Sequence, residues 1–120
     1  MANAPAIKIV EVGPRDGLQS EPYTVPTSIK VELIDRLADA GLGVIETTSF
    51  VSDQAIPQLS DAESVYARLN RREGVRYPAL VPNERGYERA RAAGINDIAV
   101  FTAASEAFNQ HNINCSIEQA

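Results

Sequence analysis

Arg15, Asp16 and Gln19 stand together in EVGPRDGLQSEP, residues 11–22, fenced by Gly13, Pro14, Gly17 and Pro22. An aspartate offers a hard oxygen ligand to a divalent cation. An arginine can bind a carboxylate or an enolate oxygen through two parallel hydrogen bonds. Glu46, followed by Thr47, Thr48 and Ser49, closes a later apolar run. Two carboxylates beside a guanidinium suit a divalent-metal site with an anionic or carbonyl partner. The same residues also admit a structural reading, in which Arg15 pairs with Glu46 and Asp16 caps a turn. Spacing alone leaves both open. A carboxylate directly after Val44-Ile45 is expected to be partly buried and to need a partner, which tilts the balance towards a site.

The other reactive residue types give weaker signals. His111 is the one histidine, and its polar setting NQHNINC reads as surface. Cys115 has no histidine at a supporting spacing and reads as a buried, inert thiol. Gly13, Gly17 and Gly41 do not make a phosphate-binding fingerprint, so a dinucleotide site has no support. Arg68, Arg71, Arg72 and Arg76 cluster where a helix is predicted to end, as expected of a solvated, dipole-stabilising terminus.

The elements that must position these residues can be read from periodicity. Ile7 to Val12 is short, β-branched and followed by Gly-Pro, which predicts a strand. In SIKVELIDRLADAG, Ile29, Leu33 and Leu37 recur at i, i+4 with Val31, Ile34 and Ala38 beside them, giving an amphipathic helix. Thr27 or Ser28 is its predicted cap and Gly41 its stop. Leu42 to Thr48 is a second strand. Ser60 and Glu63 have capping-box spacing and open a helix through about Asn70. Tyr77 to Val81 is a third strand, with Pro78 tolerable only near its start. Asn83 caps a third helix ending at Gly94, Ile95 to Phe101 is a fourth strand, and the tail begins another helix. Ala40-Gly41-Leu42 and Ala93-Gly94-Ile95 look like one helix-stop-strand unit used twice.

The order β-α-β-α-β-α-β specifies parallel strands with right-handed crossovers. An open doubly wound sheet and part of a (β/α)8 barrel both satisfy it, and four βα units fill about 120 residues where a full barrel takes roughly 250. In either case ligands bind at the C-terminal ends of the strands. The loop with Arg15 falls there, as do Glu46, Pro82-Asn83, and Thr102, Ser105 and Glu106.

Composition bounds the function. The 120 residues carry a net charge of −5, with 44% hydrophobic and 22% charged residues, and nine of the eleven cations are arginines. This acidic balance argues against broad nucleic-acid or anionic-membrane binding. No apolar run is long enough to span a bilayer, and the N-terminus lacks the marks of a signal or transit peptide. One cysteine fits a reducing compartment, and the expected location is cytoplasmic.

The segments VEVGPRDGLQSE, GLGVIETTSFVS, PALVPNERGYERARAAG and FTAASEAFNQHNINCSIE closely resemble the hydroxymethylglutaryl-CoA lyase family, from about Ile7 to the end of the chain. The wider family of aldol-type synthases typically keeps only an RDG-x-Q core, whereas GPRDGLQ with ETTSFVS points to the lyase branch. The resemblance implies a (β/α)8 TIM-type barrel of which residues 1–120 are the N-terminal half, with about the first four βα units. It implies cleavage of 3-hydroxy-3-methylglutaryl-CoA to acetyl-CoA and acetoacetate. By the same resemblance Arg15 polarises the substrate carbonyl and stabilises the enolate, and Asp16 binds Mg²⁺ or Mn²⁺. Glu46 positions Arg15 and the metal site, and Gln19 lies near the substrate. The family's H-x-H pair, its asparagine ligand and its glycine-flanked cysteine have no counterpart here, and neither His111 nor Cys115 fills those roles. The resemblance therefore implies an acyl-CoA substrate, an incomplete metal site, and a chain inactive alone that acts as a homo-oligomer or with a second half-barrel. The alternative is a non-catalytic half-barrel that oligomerises through its open strand edges.

Overall fold

A computed structural model describes residue 4 and residues 6–120. Among these, three short strands form a parallel sheet in the order β1 (Thr48–Ser49), β2 (Ala79–Leu80), β3 (Ile98–Ala99). Thr48 lies opposite Ala79 and Ala79 opposite Ile98, so the register advances without a slip. Helices α1 (Thr27–Asp39), α2 (Ala62–Arg68) and α3 (Glu84–Ala92) alternate with the strands, and α4 (Glu106–Ile113) follows β3. The chain is thus α/β, with a parallel sheet in sequence order that accords with the partial (β/α)8 barrel the resemblance implies.

The predicted first strand, Ile7 to Val12, is reduced to one parallel bridge between Glu11 and Ile45. The same register would set Ile9 opposite Gly43 and Ile7 opposite Gly41. Gly41 has a φ of 99°, so the partner chain is still turning off α1 and presents no extended edge there. Ile7 is consequently 90% exposed. The other strands are also shorter than their sequence runs, although Val44 bridges Arg76 and the Thr47 amide bonds the Pro78 carbonyl at 2.9 Å, extending the pairing.

The core lies between the sheet and the helices, with Ile34, Ile45, Phe50, Val65 and Ala79 all buried. In α1 the most buried row is Lys30, Ile34 and Ala38; of the predicted apolar face Ile34 and Ala38 are buried, and Val31 and Leu37 pack against the core. Lys30 is buried as an ion-pair donor: its Nζ reaches Asp61 Oδ1 and the Gln58 carbonyl, each at 2.5 Å. Ile29 is left exposed. Pro26, not Thr27 or Ser28, is the N-cap of α1, and the Thr27 hydroxyl donates to Asp61 instead. The Ser60–Glu63 capping box is not formed. Asp61 occupies the cap of α2 without a side-chain bond, and Glu63 is drawn away to Arg89. Leu69 turns to extended backbone, ending α2 before the predicted Asn70.

Two local predictions agree with the structure. Asn83 caps α3 by accepting from the Gly86 amide at 2.9 Å. The repeated Ala-Gly-(Leu/Ile) unit is one geometry used twice. Gly41 and Gly94 both have positive φ, and the amides of Leu42 and Ile95 reach back five residues to the carbonyls of Leu37 and Ala90. Those bonds, with Gly41 to Ala38 and Gly94 to Arg91, make a Schellman stop.

Arg68 lies exposed in the last turn of α2, as expected, while the other three arginines, also exposed, lie beyond the helix. Arg71 stacks over the Tyr66 ring and donates to its hydroxyl, Arg72 pairs with Asp39, and Arg76 forms a fork to Asp97. Beyond Arg68 the chain is no longer helical, so these cations meet partners on other elements. Cys115 is half-buried rather than buried, and His111 is exposed as expected. No helix among the described residues is long and apolar enough to cross a membrane.

Candidate active site

The loop after the first bridge closes into a π-helical turn over Gly13–Gly17. The amides of Arg15, Asp16 and Gly17 all converge on the Val12 carbonyl, at 3.2, 2.7 and 3.4 Å. At the entry the Gly13 amide donates to Glu11 Oε1 at 2.9 Å. The turn is laid over β1 because the bridge fixes its base. The Glu11 amide donates to Val44 O at 3.0 Å, and the Glu46 amide donates to Glu11 O at 2.8 Å.

This geometry brings Arg15 to Glu46, residues 31 apart in sequence. The Arg15 Nε donates to Glu46 Oε1 at 2.5 Å, and its NH1 reaches Asp16 Oδ1 at 3.3 Å. The Arg15 and Glu46 side chains are only 19% and 10% exposed, whereas that of Asp16 is 63% exposed. A guanidinium carries five N–H donors. Two of the three guanidinium nitrogens of Arg15, Nε and NH1, are engaged by Glu46 and Asp16. Glu46 therefore orients the guanidinium, which is the Arg15–Glu46 pairing that the structural reading of the sequence expects.

Arg15, Asp16, Gln19 and Glu46 line one cavity of about 580 Å³, at the C-terminal ends of the strands. Its polar wall is completed by Ser49, and its apolar wall includes Phe101 and Phe108, whose rings meet edge to face with centroids 5.8 Å apart. Cys115 lines a neighbouring cavity with Tyr87 and Gln119, away from Arg15. Thr102, Ser105 and Glu106 do not line the Arg15 cavity. Ser105 instead caps α4, accepting from the Phe108 amide at 3.2 Å.

Two residues that support the site were not singled out from the sequence. Asn109 is fully buried and clamps the loop after β3, accepting from the Ala103 amide and donating to the Ala103 carbonyl, both at 2.9 Å. Arg89 holds the loop after β1. It makes a two-pronged bond to Glu63 at 2.8 and 3.0 Å, donates to Val51 O at 3.0 Å, and lies over the Phe50 ring. That hydrogen bond is the main reason the Glu63 carboxyl is held below its ordinary value, with burial opposing it. Neither Asn109 nor Arg89 stands out in sequence, because a polar residue on an amphipathic helix that turns towards a loop has the same local pattern as one in water.

A resident metal is not fitted by these residues alone. Glu46 Oε1 is engaged by Arg15, Asp16 is a lone exposed carboxylate, and no group of three His, Cys, Asp or Glu among the described residues could hold a cation. Asp16 can offer one oxygen ligand and no more.

Residues 6–120 match the family model described as HMGL-like. The chain is 57% identical over 114 residues to the cytoplasmic 3-hydroxy-3-methylglutaryl-CoA lyase of Mus musculus, covering 95% of this chain and 33% of that protein. It is 54% identical to the mitochondrial hydroxymethylglutaryl-CoA lyase of Arabidopsis thaliana, with 95% of this chain covered and 24% of that protein. Among solved structures, hydroxymethylglutaryl-CoA lyase from Pseudomonas aeruginosa superposes with a TM-score of 0.88 at 50% identity, over 94% of this chain and 38% of that one. An HMG-CoA lyase from Acinetobacter baumannii, in complex with coenzyme A and 3-methylmalate, superposes at 0.90 with 40% identity, over 98% of this chain and 39% of that one. The chain spans about a third of the length of the curated relatives it matches. Sequence and backbone agree over nearly every described residue, and this chain belongs to the HMGL-like family.

Proposed function

We propose that residues 1–120 are the N-terminal half of a hydroxymethylglutaryl-CoA lyase barrel and carry the carbonyl-polarising side of its active site. The observation that carries this reading is the Arg15–Glu46 pair on the wall of the cavity. In the proposed reaction the C3 hydroxyl of 3-hydroxy-3-methylglutaryl-CoA loses its proton and the C2–C3 bond breaks. Acetoacetate departs, and the bonding pair passes to the thioester as an enolate, which is protonated to acetyl-CoA. Arg15 donates to the thioester oxygen and stabilises the negative charge that grows there. Glu46 fixes the guanidinium for that task, and Gln19 contacts the acyl group. Asp16 is the single ligand that this chain offers to a divalent cation, Mg²⁺ or Mn²⁺, and no step above runs through the cation. The cavity's titratable groups are the carboxylates Asp16 and Glu46, of which Glu46 is engaged by Arg15, and the chain alone is proposed to bind substrate without turning it over. The acyl-CoA class is supported by the bound coenzyme A of the Acinetobacter lyase. A cytoplasmic location is supported by the Mus musculus relative, although the relatives include mitochondrial proteins.

A graft tests the assignment. Residues 6–120 replace the corresponding segment of the Pseudomonas aeruginosa lyase, and acetoacetate release is followed with added Mg²⁺ or Mn²⁺. The graft is expected to be active, and Arg15→Gln to lower kcat by about 10²–10³-fold, the usual loss of an oxyanion donor. An active graft indifferent to Arg15→Gln would refute the mechanism.

A second reading, association through open strand edges, is favoured by apolar residues left in water at both sides of the sheet. Ile7 on one side and Val100 on the other are 90% and 77% exposed. Such edges invite pairing with another chain. Oligomers in light scattering support this reading, and a folded monomer counts against it.

A further inference from the structure

We propose that Ser49 is a substrate-binding residue whose hydroxyl donates to an oxygen of the acyl group held in the Arg15 cavity. The proposal rests on the reading above that an acyl-CoA occupies this cavity. Ser49 ends β1, is 2% exposed, and lines the cavity with Arg15, Gln19 and Glu46. Its Oγ is the buried side-chain polar atom left without a hydrogen-bond partner among the described residues.

That exception is informative because other buried polar side chains, before β1 and on α1 and α4, find partners. The Thr47 hydroxyl donates to the Pro78 carbonyl, the Lys30 ammonium has two oxygen partners, and the Asn109 amide is bonded on both its oxygen and its nitrogen. A buried hydroxyl without a partner destabilises the folded chain, and alanine at this position would avoid that cost. The hydroxyl is useful if a ligand supplies the missing acceptor. An acyl-CoA with a hydroxyl, a carboxylate and a thioester carbonyl is rich in acceptors. Arg15 gives the cavity a charged donor, and Ser49 gives it a neutral one from the floor of the sheet. Coenzyme A without the acyl group lacks these oxygens.

The test compares the 120-residue chain with its Ser49→Ala and Ser49→Cys variants. Binding of 3-hydroxy-3-methylglutaryl-CoA and of free coenzyme A is measured by calorimetry, and thermal unfolding is measured without ligand. Loss of one hydrogen bond to a carbonyl or carboxylate oxygen is expected to weaken acyl-CoA binding about tenfold in Ser49→Ala. Coenzyme A binding stays unchanged, and the Tm of the free chain stays the same or rises. Ser49→Cys keeps the side chain's size with a poorer donor, so it weakens acyl-CoA binding in the same direction and decides the matter should Ser49→Ala fail to fold. Equal acyl-CoA affinity in wild type and variants overturns the role of Ser49 while leaving the acyl-CoA reading intact. A fall in Tm with parallel loss for both probes assigns Ser49 to structure and overturns it as well. A wild-type chain that binds neither probe overturns the acyl-CoA reading itself, and this proposal with it.

Discussion

The contact that organises the site also makes it vulnerable, and Glu46→Gln measures by how much. The substitution keeps the side chain's shape and removes its charge. The Arg15 Nε to Glu46 Oε1 contact is 2.5 Å, with both side chains largely withdrawn from water. Charge centres about 4 Å apart attract by about 4 kcal/mol at an effective dielectric near 20, and desolvation of the pair offsets part of that. Removing one member of a buried pair costs about 3–5 kcal/mol, because the survivor is left uncompensated. Here Arg15 keeps some access to water and a second carboxylate, Asp16 at 3.3 Å, which lowers the expected loss to about 2–3 kcal/mol. Urea unfolding of the wild type, Glu46→Gln, Arg15→Gln and the double variant gives the answer as a double-mutant cycle. We expect the double variant to be less destabilised than the sum of the singles, with a coupling of about 2 kcal/mol. A coupling below about 0.5 kcal/mol would put the pair in the class of exposed surface bridges. It would refute the argument that Glu46 fixes the guanidinium.

Gly86→Ala is expected to lower the unfolding free energy by about 1–3 kcal/mol, read from urea midpoints, because an overpacked backbone contact must be relieved. The added Cβ would come within 2.5 Å of the Phe50 carbonyl, which is backbone and cannot swing aside. Stability should also fall with acid in a defined window. Glu63 and Asp97 have folded pKa values below their ordinary 4.5 and 3.8, each chiefly through a hydrogen bond from an arginine, Arg89 and Arg76, with burial opposing. For depressed carboxyls the unfolded chain binds protons first, so their contribution is full above about pH 5 and is lost as pH falls through the folded values. Glu63→Gln should flatten the stability curve between about pH 5 and pH 3. A slope identical to that of the wild type would show that the Arg89 bond does not shift this group.

Much of this site could be read in the sequence because strand order alone decides which loops share an end of a parallel sheet. Arg15 follows the first apolar run and Glu46 ends the second, so parallel pairing had to bring them to one end. Their direct bond follows from the Glu11–Ile45 bridge, and no spacing rule contains that register. What could not be read was competition for partners. Ser60 and Glu63 have capping-box spacing, yet Arg89, 26 residues from Glu63, offers a two-pronged bond that a backbone amide cannot match. Lys30 lies on what the apolar pattern of α1 marks as a polar position. Its bonds to Asp61 and Gln58 nevertheless turn that face inward and leave Ile29 in water. In each case an ion pair distant in sequence overrode a local rule.

The same overriding pairs explain why the loops around the cavity hold their places with so little strand beneath them. Each strand in the described sheet is two residues long, too short to fix a loop by itself. The loop after the first bridge is tied at its far end by Gln58, whose amide donates to Glu21 O at 2.8 Å, and Gln58 is in turn held by Lys30. Arg89 ties the loop after β1 through Val51, and Asn109 ties the loop after β3 through Ala103. Every one of these ties is a polar side chain bonded to a loop backbone carbonyl, so it fixes the loop's path without constraining which side chains the loop displays. Ser49 can carry an unpaired hydroxyl because the loop after β1 is held without it, whereas Arg15 joins its own loop to Glu46 and so serves structure and site together.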